Sequence, residues 1–168
     1  MQFISEWAAN EGRNLIYFQP QVLETFSSYV QVKSNDLEAG GLLLGYVRGS
    51  HLEIVEATVP TKFDRRFRYL FERMGELHDA IAHKLWAQSN GKVRYLGEWH
   101  THPEYDPSPS GIDLREWHAL ATKRKDGRPV LGVIVGRNGL YVENTPRFGQ
   151  GVRYEPIHDV DFHRRSGL

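Results

Sequence analysis

The chain has 168 residues, with 21 Lys and Arg against 21 Asp and Glu, no Cys, and 40% hydrophobic residues. A chain of this length buries about 70% of its unfolded surface around one core, and its balanced charge speaks against a nucleic-acid binder. The lack of Cys excludes disulfides, a Cys nucleophile, thiolate zinc sites and Cys-ligated iron–sulfur clusters.

The start of the chain, Met1 to Trp7, has no basic segment leading into an apolar stretch, so no signal peptide is expected. No apolar run approaches the about 20 residues that cross a bilayer. A soluble, cytoplasmic protein with no membrane partner is the expectation, as one domain spanning 1–168 without repeats or low-complexity segments. Leu15-Ile16-Tyr17-Phe18 reads as a strand within 13–18. Pro20 suits the first turn of a helix, and Val22, Leu23, Phe26 and Val30 recur at helical spacing through about residue 32. Two apolar runs over 40–59, around Arg48-Gly49-Ser50, read as a hairpin.

Residues 60–69 show no period and read as a loop. A second helix is predicted over about 70–89, with Leu70, Met74, Leu77, Ile81 and Leu85 as its apolar stripe and Gly91 beyond its end. Val93 to His102 reads as a strand, followed by a Pro-rich loop. A third helix runs from Ser110 to about Lys125, with Leu114, Trp117, Leu120 and Ala121 on its apolar side. A last hairpin spans 130–135 and 139–143, and Val152 to Ile157 forms a further strand. Helices interspersed with hairpins predict an α+β (mixed α/β) fold with an antiparallel or mixed sheet.

The chemistry concentrates in Gly97-Glu98-Trp99-His100-Thr101-His102-Pro103 and Ser110-Gly111-Ile112-Asp113. On a strand, i and i+2 share a face, so His100 and His102 lie side by side, about 6–7 Å apart at Cα. Two such imidazoles can converge on one zinc, and Asp113, beyond a loop long enough to fold back, can add a carboxylate. Three protein ligands leave the fourth position to water, which separates a catalytic from a structural zinc site. A nearby carboxylate would then move protons, and both Glu38 and Glu98 are candidates. Taken alone, each piece has a plainer reading. His-x-His suits surface residues, and Ser110-x-x-Asp113 suits a helix N-cap, a role compatible with metal binding.

Together the pieces resemble the JAMM/MPN metalloprotease signature. Glu38 opens Glu-x-Gly-Gly-Leu-x-Leu-Gly, and His100-Thr101-His102-Pro103 precedes Ser110-x-x-Asp113 at the signature's spacing. The resemblance is to the small single-domain bacterial members and covers a core of about 13–145, leaving 146–168 as a C-terminal extension. It implies a curved mixed β-sheet flanked by about three helices, of the cytidine deaminase-like type. It further implies one zinc held by His100, His102 and Asp113, with Glu38 as general base and acid. Ser110 would steady the oxyanion, and Glu98 would be left outside catalysis.

The activity implied is hydrolysis of an isopeptide or peptide bond after the C-terminal tail of a ubiquitin-like protein. The partners would be that protein or its conjugates, with cognate activating and conjugating enzymes in an anti-phage defence cassette. Trimming of a sulfur-carrier tail is the alternative pathway. A non-catalytic scaffold and a phosphoester hydrolase are the rival classes. The remaining histidines, at 51, 78, 83, 118, 158 and 163, are expected to play core or surface roles. Lys62 to Tyr69, basic and aromatic, is expected to face substrate rather than nucleic acid.

Overall fold

The computed structural model describes residues 3–73 and 75–158. In chain order the elements are β1 (Glu6–Ala9), β2 (Asn14–Phe18), α1 (Pro20–Ser28), β3 (Gly40–Arg48), β4 (His51–Ala57), β5 (Arg65–Arg66), β6 (Phe71–Glu72), α2 (Gly75–Gln88), β7 (Arg94–Thr101), α3 (Gly111–Lys123), β8 (Val130–Val135), β9 (Leu140–Thr145) and β10 (Val152–Pro156). The fold is mixed α+β. Eight strands are ordered β1-β10-β9-β8-β7-β3-β4-β2, and β2 pairs back to β1. Pairing is antiparallel except for β2 with β4 and β7 with β8.

The expected curved sheet is therefore curled until its edges meet. Its closing strand, β1, is only four residues long and too short to show a period of two. Trp7 and Ala8 pair with Pro156 and Glu155 on one side and with Ile16 and Leu15 on the other. A bulge near Leu44 in β3, seen against both of its neighbours, adds local twist and bend. Closure also removes the unpaired edges that an open sheet would present. The barrel thus draws on residues 6–9 and 152–156, on either side of the stretch that carries the motif.

Inside the barrel, Trp99 packs against Phe26 of α1 at 5.2 Å between ring centroids, with Phe18, Leu43, Ile54, Leu131 and Val133 around them. Outside it, α2 covers Leu42, Leu44 and Val93, while α3 lays Trp117 on β8. Gly132 makes that last contact close, since a Cβ there would run into the Trp117 indole.

Two helices differ from their predicted extents. α1 stops at Ser28 rather than near 32, because Thr25, Ser27 and Ser28 hydroxyls bond back to carbonyls four residues earlier and the chain then turns. That turn carries Gln31 into the interior, where its amide donates to the carbonyls of Asp36 and Arg68. α2 begins at Gly75, so Leu70 lies in the preceding hairpin, and Met74 is outside the described residues. Of its predicted apolar stripe Leu77 and Ile81 are exposed, while Leu85 packs inward as expected. The inward face is set by His78, Ala82 and Leu85. His78 is fully buried because both ring nitrogens are satisfied, at 2.6 Å from Thr58 Oγ1 and 2.7 Å from Asp64 Oδ2. A polar residue thus takes the core position that the hydrophobic period assigned to Leu77 and Ile81.

Candidate metal centre and its groove

β7 runs between β3 and β8, with Gly40 opposite His100 on one side and Ile134 opposite it on the other. Alternation turns Trp99 and Thr101 into the interior and Glu98 and His100 outward, between α2 and α3. His102 follows just past the strand end, with its N–H bonded to the Val135 carbonyl. Gly40 is required beside them, since a Cβ there would meet the Trp99 carbonyl at 2.5 Å and the Phe71 ring at 2.7 Å.

α3 brings the third donor. Ser110 caps the helix, its hydroxyl accepting from the Asp113 N–H at 3.1 Å while its own N–H donates to Asp113 Oδ2 at 2.8 Å. That reciprocal cap fixes the Asp113 carboxylate at the helix start, facing the histidines. His100 Nε2 lies 3.1 Å from His102 Nε2 and 3.2 Å from Asp113 Oδ1, and His102 Nε2 lies 3.2 Å from Asp113 Oδ2.

These separations test whether the residues suit a metal. Ligands about 2.0–2.1 Å from a tetrahedral zinc are about 3.3–3.4 Å from one another. The two nitrogens and one carboxylate match that triangle, with a fourth direction open to the groove. The cluster also holds positive charge tightly. Burial raises the Asp113 carboxyl, but hydrogen bonds from His100, His102 and the Ser110 N–H override it and hold it well below the usual range. Burial lowers the His102 imidazole, yet Asp113 and Glu104 outweigh it and push it up to about 9.

Glu104 is a part of the site that sequence reasoning missed. Its carboxylate sits 2.7 Å from His102 Nδ1, which orients the ring and leaves Nε2 for a metal. The signal was its place two residues after His102, within reach of that ring.

Glu38 and Glu98 both line the groove, but with different partners. Glu98 is paired with Arg73, whose Nη2 lies 3.4 Å from both its oxygens. Glu38 is 4% exposed, and burial, opposed by His100 and His102, pushes its carboxyl up to about 7. Its backbone is held on both sides. The Glu38 N–H donates to Phe67 O at 2.6 Å, and Arg66 Nε donates to Glu38 O at 3.0 Å. The next residue is anchored to β7, since the Ala39 N–H donates to Thr101 Oγ1 at 2.9 Å and the Thr101 N–H donates to Ala39 O at 2.8 Å. The stretch expected to be a loop is thus the hairpin β5–β6. Its Tyr69, Leu70 and Phe71 form one wall of a cavity of about 780 Å³ that opens over the triad.

His51, His78 and His83 have partners of their own, away from the triad. His51 Nδ1 accepts from the Leu15 N–H, His78 belongs to the buried Thr58–Asp64 link, and His83 stacks on Trp86. His163 lies outside the described residues.

Fold and site together define a mixed α+β domain with a His-His-Asp cluster able to hold a metal ion and a buried carboxyl beside it. Residues 25–148 match the family model described as prokaryotic homologs of the JAB domain, and the chain belongs to that family. Several relatives carry the name CD-NTase/cGAS isopeptidase. One from Pseudomonas aeruginosa is 57% identical over 157 residues, covering 94% of this chain and 99% of its own. One from Escherichia coli is 39% identical over 131 residues, covering 77% and 81%. One from Vibrio cholerae is 32% identical over 138 residues, covering 82% and 86%. Among solved structures, a Desulfitobacterium hafniense protein shares the fold with a TM-score of 0.58 at 19% identity, over 85% of this chain and 91% of that one. No helix among the described residues is long and apolar enough to cross a membrane.

Proposed function

We propose that this chain is a zinc-dependent isopeptidase that releases a CD-NTase/cGAS-type protein from its conjugates by cutting after its extended C-terminal tail. The observation that carries this reading is the His100–His102–Asp113 triangle with the buried Glu38 carboxyl beside it in one groove. The names of the relatives supply the conjugate as substrate class. They favour it over trimming of a sulfur-carrier tail, and the ubiquitin-like tail then describes how the substrate is presented to the site. An activating and a conjugating enzyme would be the functional neighbours, in an anti-phage defence cassette.

His100, His102 and Asp113 would hold the metal, and Glu104 would orient His102. When bound, zinc supplies a Lewis acid and lowers the pKa of a coordinated water toward neutrality. Glu38, buried beside the triad, accepts the proton of the attacking water and delivers it to the leaving lysine amine. The Ser110 hydroxyl accepts from Asp113 N–H and keeps its own hydrogen for the oxygen that gains charge during attack. β6 pairs only with β5 among the described strands, so its outer edge offers main-chain groups to an extended tail.

The test is cleavage of a purified CD-NTase carrying an isopeptide bond from its C-terminal carboxyl to a lysine of a second protein. The native chain should release both partners, and Glu38→Gln should leave the conjugate intact while still binding it. An intact conjugate with the zinc-loaded native chain, or equal cleavage by Glu38→Gln, would overturn the reading.

A further inference from the structure

Gln31 is 2% exposed and does not line the groove, yet the hydrogen bonds of its side chain surround the chain at Glu38. Its Nε2 donates to Asp36 O at 3.1 Å and to Arg68 O at 2.8 Å. Its Oε1 accepts from the Thr101 hydroxyl at 2.9 Å, and that hydroxyl oxygen accepts in turn from the Ala39 N–H at 2.9 Å. One side chain thus holds the segment two residues before Glu38 and, through Thr101, one residue after it. Its remaining partner, Arg68, follows Phe67, whose carbonyl accepts the Glu38 N–H.

The residue type follows from these partners. Two carbonyls need N–H donors and the Thr101 hydroxyl needs an acceptor, and a glutamine amide offers both kinds on one planar group. A carboxylate would turn an oxygen toward both carbonyls, and a methionine would leave all three bonds unmade. Thr101 is fully buried and sits between His100 and His102, so the network fastens the Glu38 segment to the stretch that carries both imidazoles. A fully satisfied buried network holds its members in one arrangement. A general base acts only within hydrogen-bond reach of its proton, so the place of the Glu38 backbone decides whether its carboxyl can serve.

We propose that Gln31 is a positioning residue for Glu38, setting from the interior where that carboxyl stands relative to His100 and His102. It rests on the proposed function in that Glu38 is the base. Arg66 grips the Glu38 carbonyl from the hairpin side, and Gln31 fixes the residues on either side of it. Gln31 touches neither imidazole and acts only through the backbone it holds.

The test compares Gln31→Met with the native chain by amide hydrogen exchange and by conjugate cleavage at saturating zinc. Gln31→Met should speed exchange at the Glu38 and Ala39 amides about tenfold beyond any change at Val133, which lies deep in the barrel. Ile54→Val, a core change that removes none of these bonds, should show no such excess. In cleavage, Gln31→Met should lower kcat about tenfold and leave KM and zinc per chain unchanged. That loss should vanish in a Glu38→Gln background, where residual cleavage no longer uses the carboxyl. Exchange at Glu38 and Ala39 rising no more than at Val133 would overturn the assignment. So would an unchanged kcat, a raised KM with kcat intact, or the same loss with and without the Glu38 carboxyl. If the native chain cleaves the conjugate but the exchange excess is missing, the proposed function stands and the role of Gln31 falls. If the native chain leaves the conjugate intact, the proposed function falls, and the exchange excess alone decides whether Gln31 anchors the Glu38 segment.

Discussion

Glu38 titrates near 7 rather than at its ordinary 4.5 because folding buries it, and replacement by Gln removes the charge while keeping the shape. The native state therefore binds more protons than the unfolded chain between about 4.5 and about 7. Native stability must fall as pH rises through that window. The penalty is absent below it and complete above it, and it amounts to up to about 3 kcal/mol. Glu38→Gln carries no such penalty. In urea unfolding of chelator-treated protein, the variant should match the native chain near pH 4.5 and exceed it progressively toward pH 8. Chelation matters because a bound cation would draw the carboxyl back down. The same substitution should lower conjugate cleavage by at least about 100-fold with zinc content unchanged. Parallel stability profiles for the two proteins across the window would refute the claim that Glu38 is buried and poised.

Glu104→Ala removes the acceptor 2.7 Å from His102 Nδ1 and should weaken zinc affinity about 10–100-fold in competition with a chelating dye, with cleavage recovering at saturating zinc. Arg66→Met removes the donor to the Glu38 carbonyl and should reduce kcat about tenfold or more while zinc binding stays unchanged, because it loosens the base and not the ligands. Equal losses in zinc affinity and kcat would place Arg66 in fold stability rather than in positioning.

What the sequence showed of the site followed from how local each part is. His100 and His102 share a strand face, and Ser110 with Asp113 forms one helical turn, so their spacing alone brings the donors near one another. Glu38 is a different case. It reaches the triad through Ala39–Thr101 bonds spanning 62 positions and through a hairpin whose strands are two residues each, beneath the reach of any periodicity. Only the resemblance to a known signature singled it out from Glu98, and the structure supplies the physical difference, the Arg73 ion pair on Glu98. The hydrophobic period found α2 and turned Leu85 inward, but it misplaced Leu77 and Ile81, because a buried His bonded at both nitrogens takes the interior beside them. Barrel closure through β1 was illegible for a related reason, since four residues paired on both sides draw their stability from partners distant in the chain.

The central claim is that His100, His102 and Asp113 form one zinc site, and elemental analysis of the purified chain at neutral pH tests it most directly. The native protein should carry about one zinc per chain and His100→Ala little, as removal of one of three protein ligands requires. Equal zinc in both proteins, or none in either after reconstitution, would contradict the account.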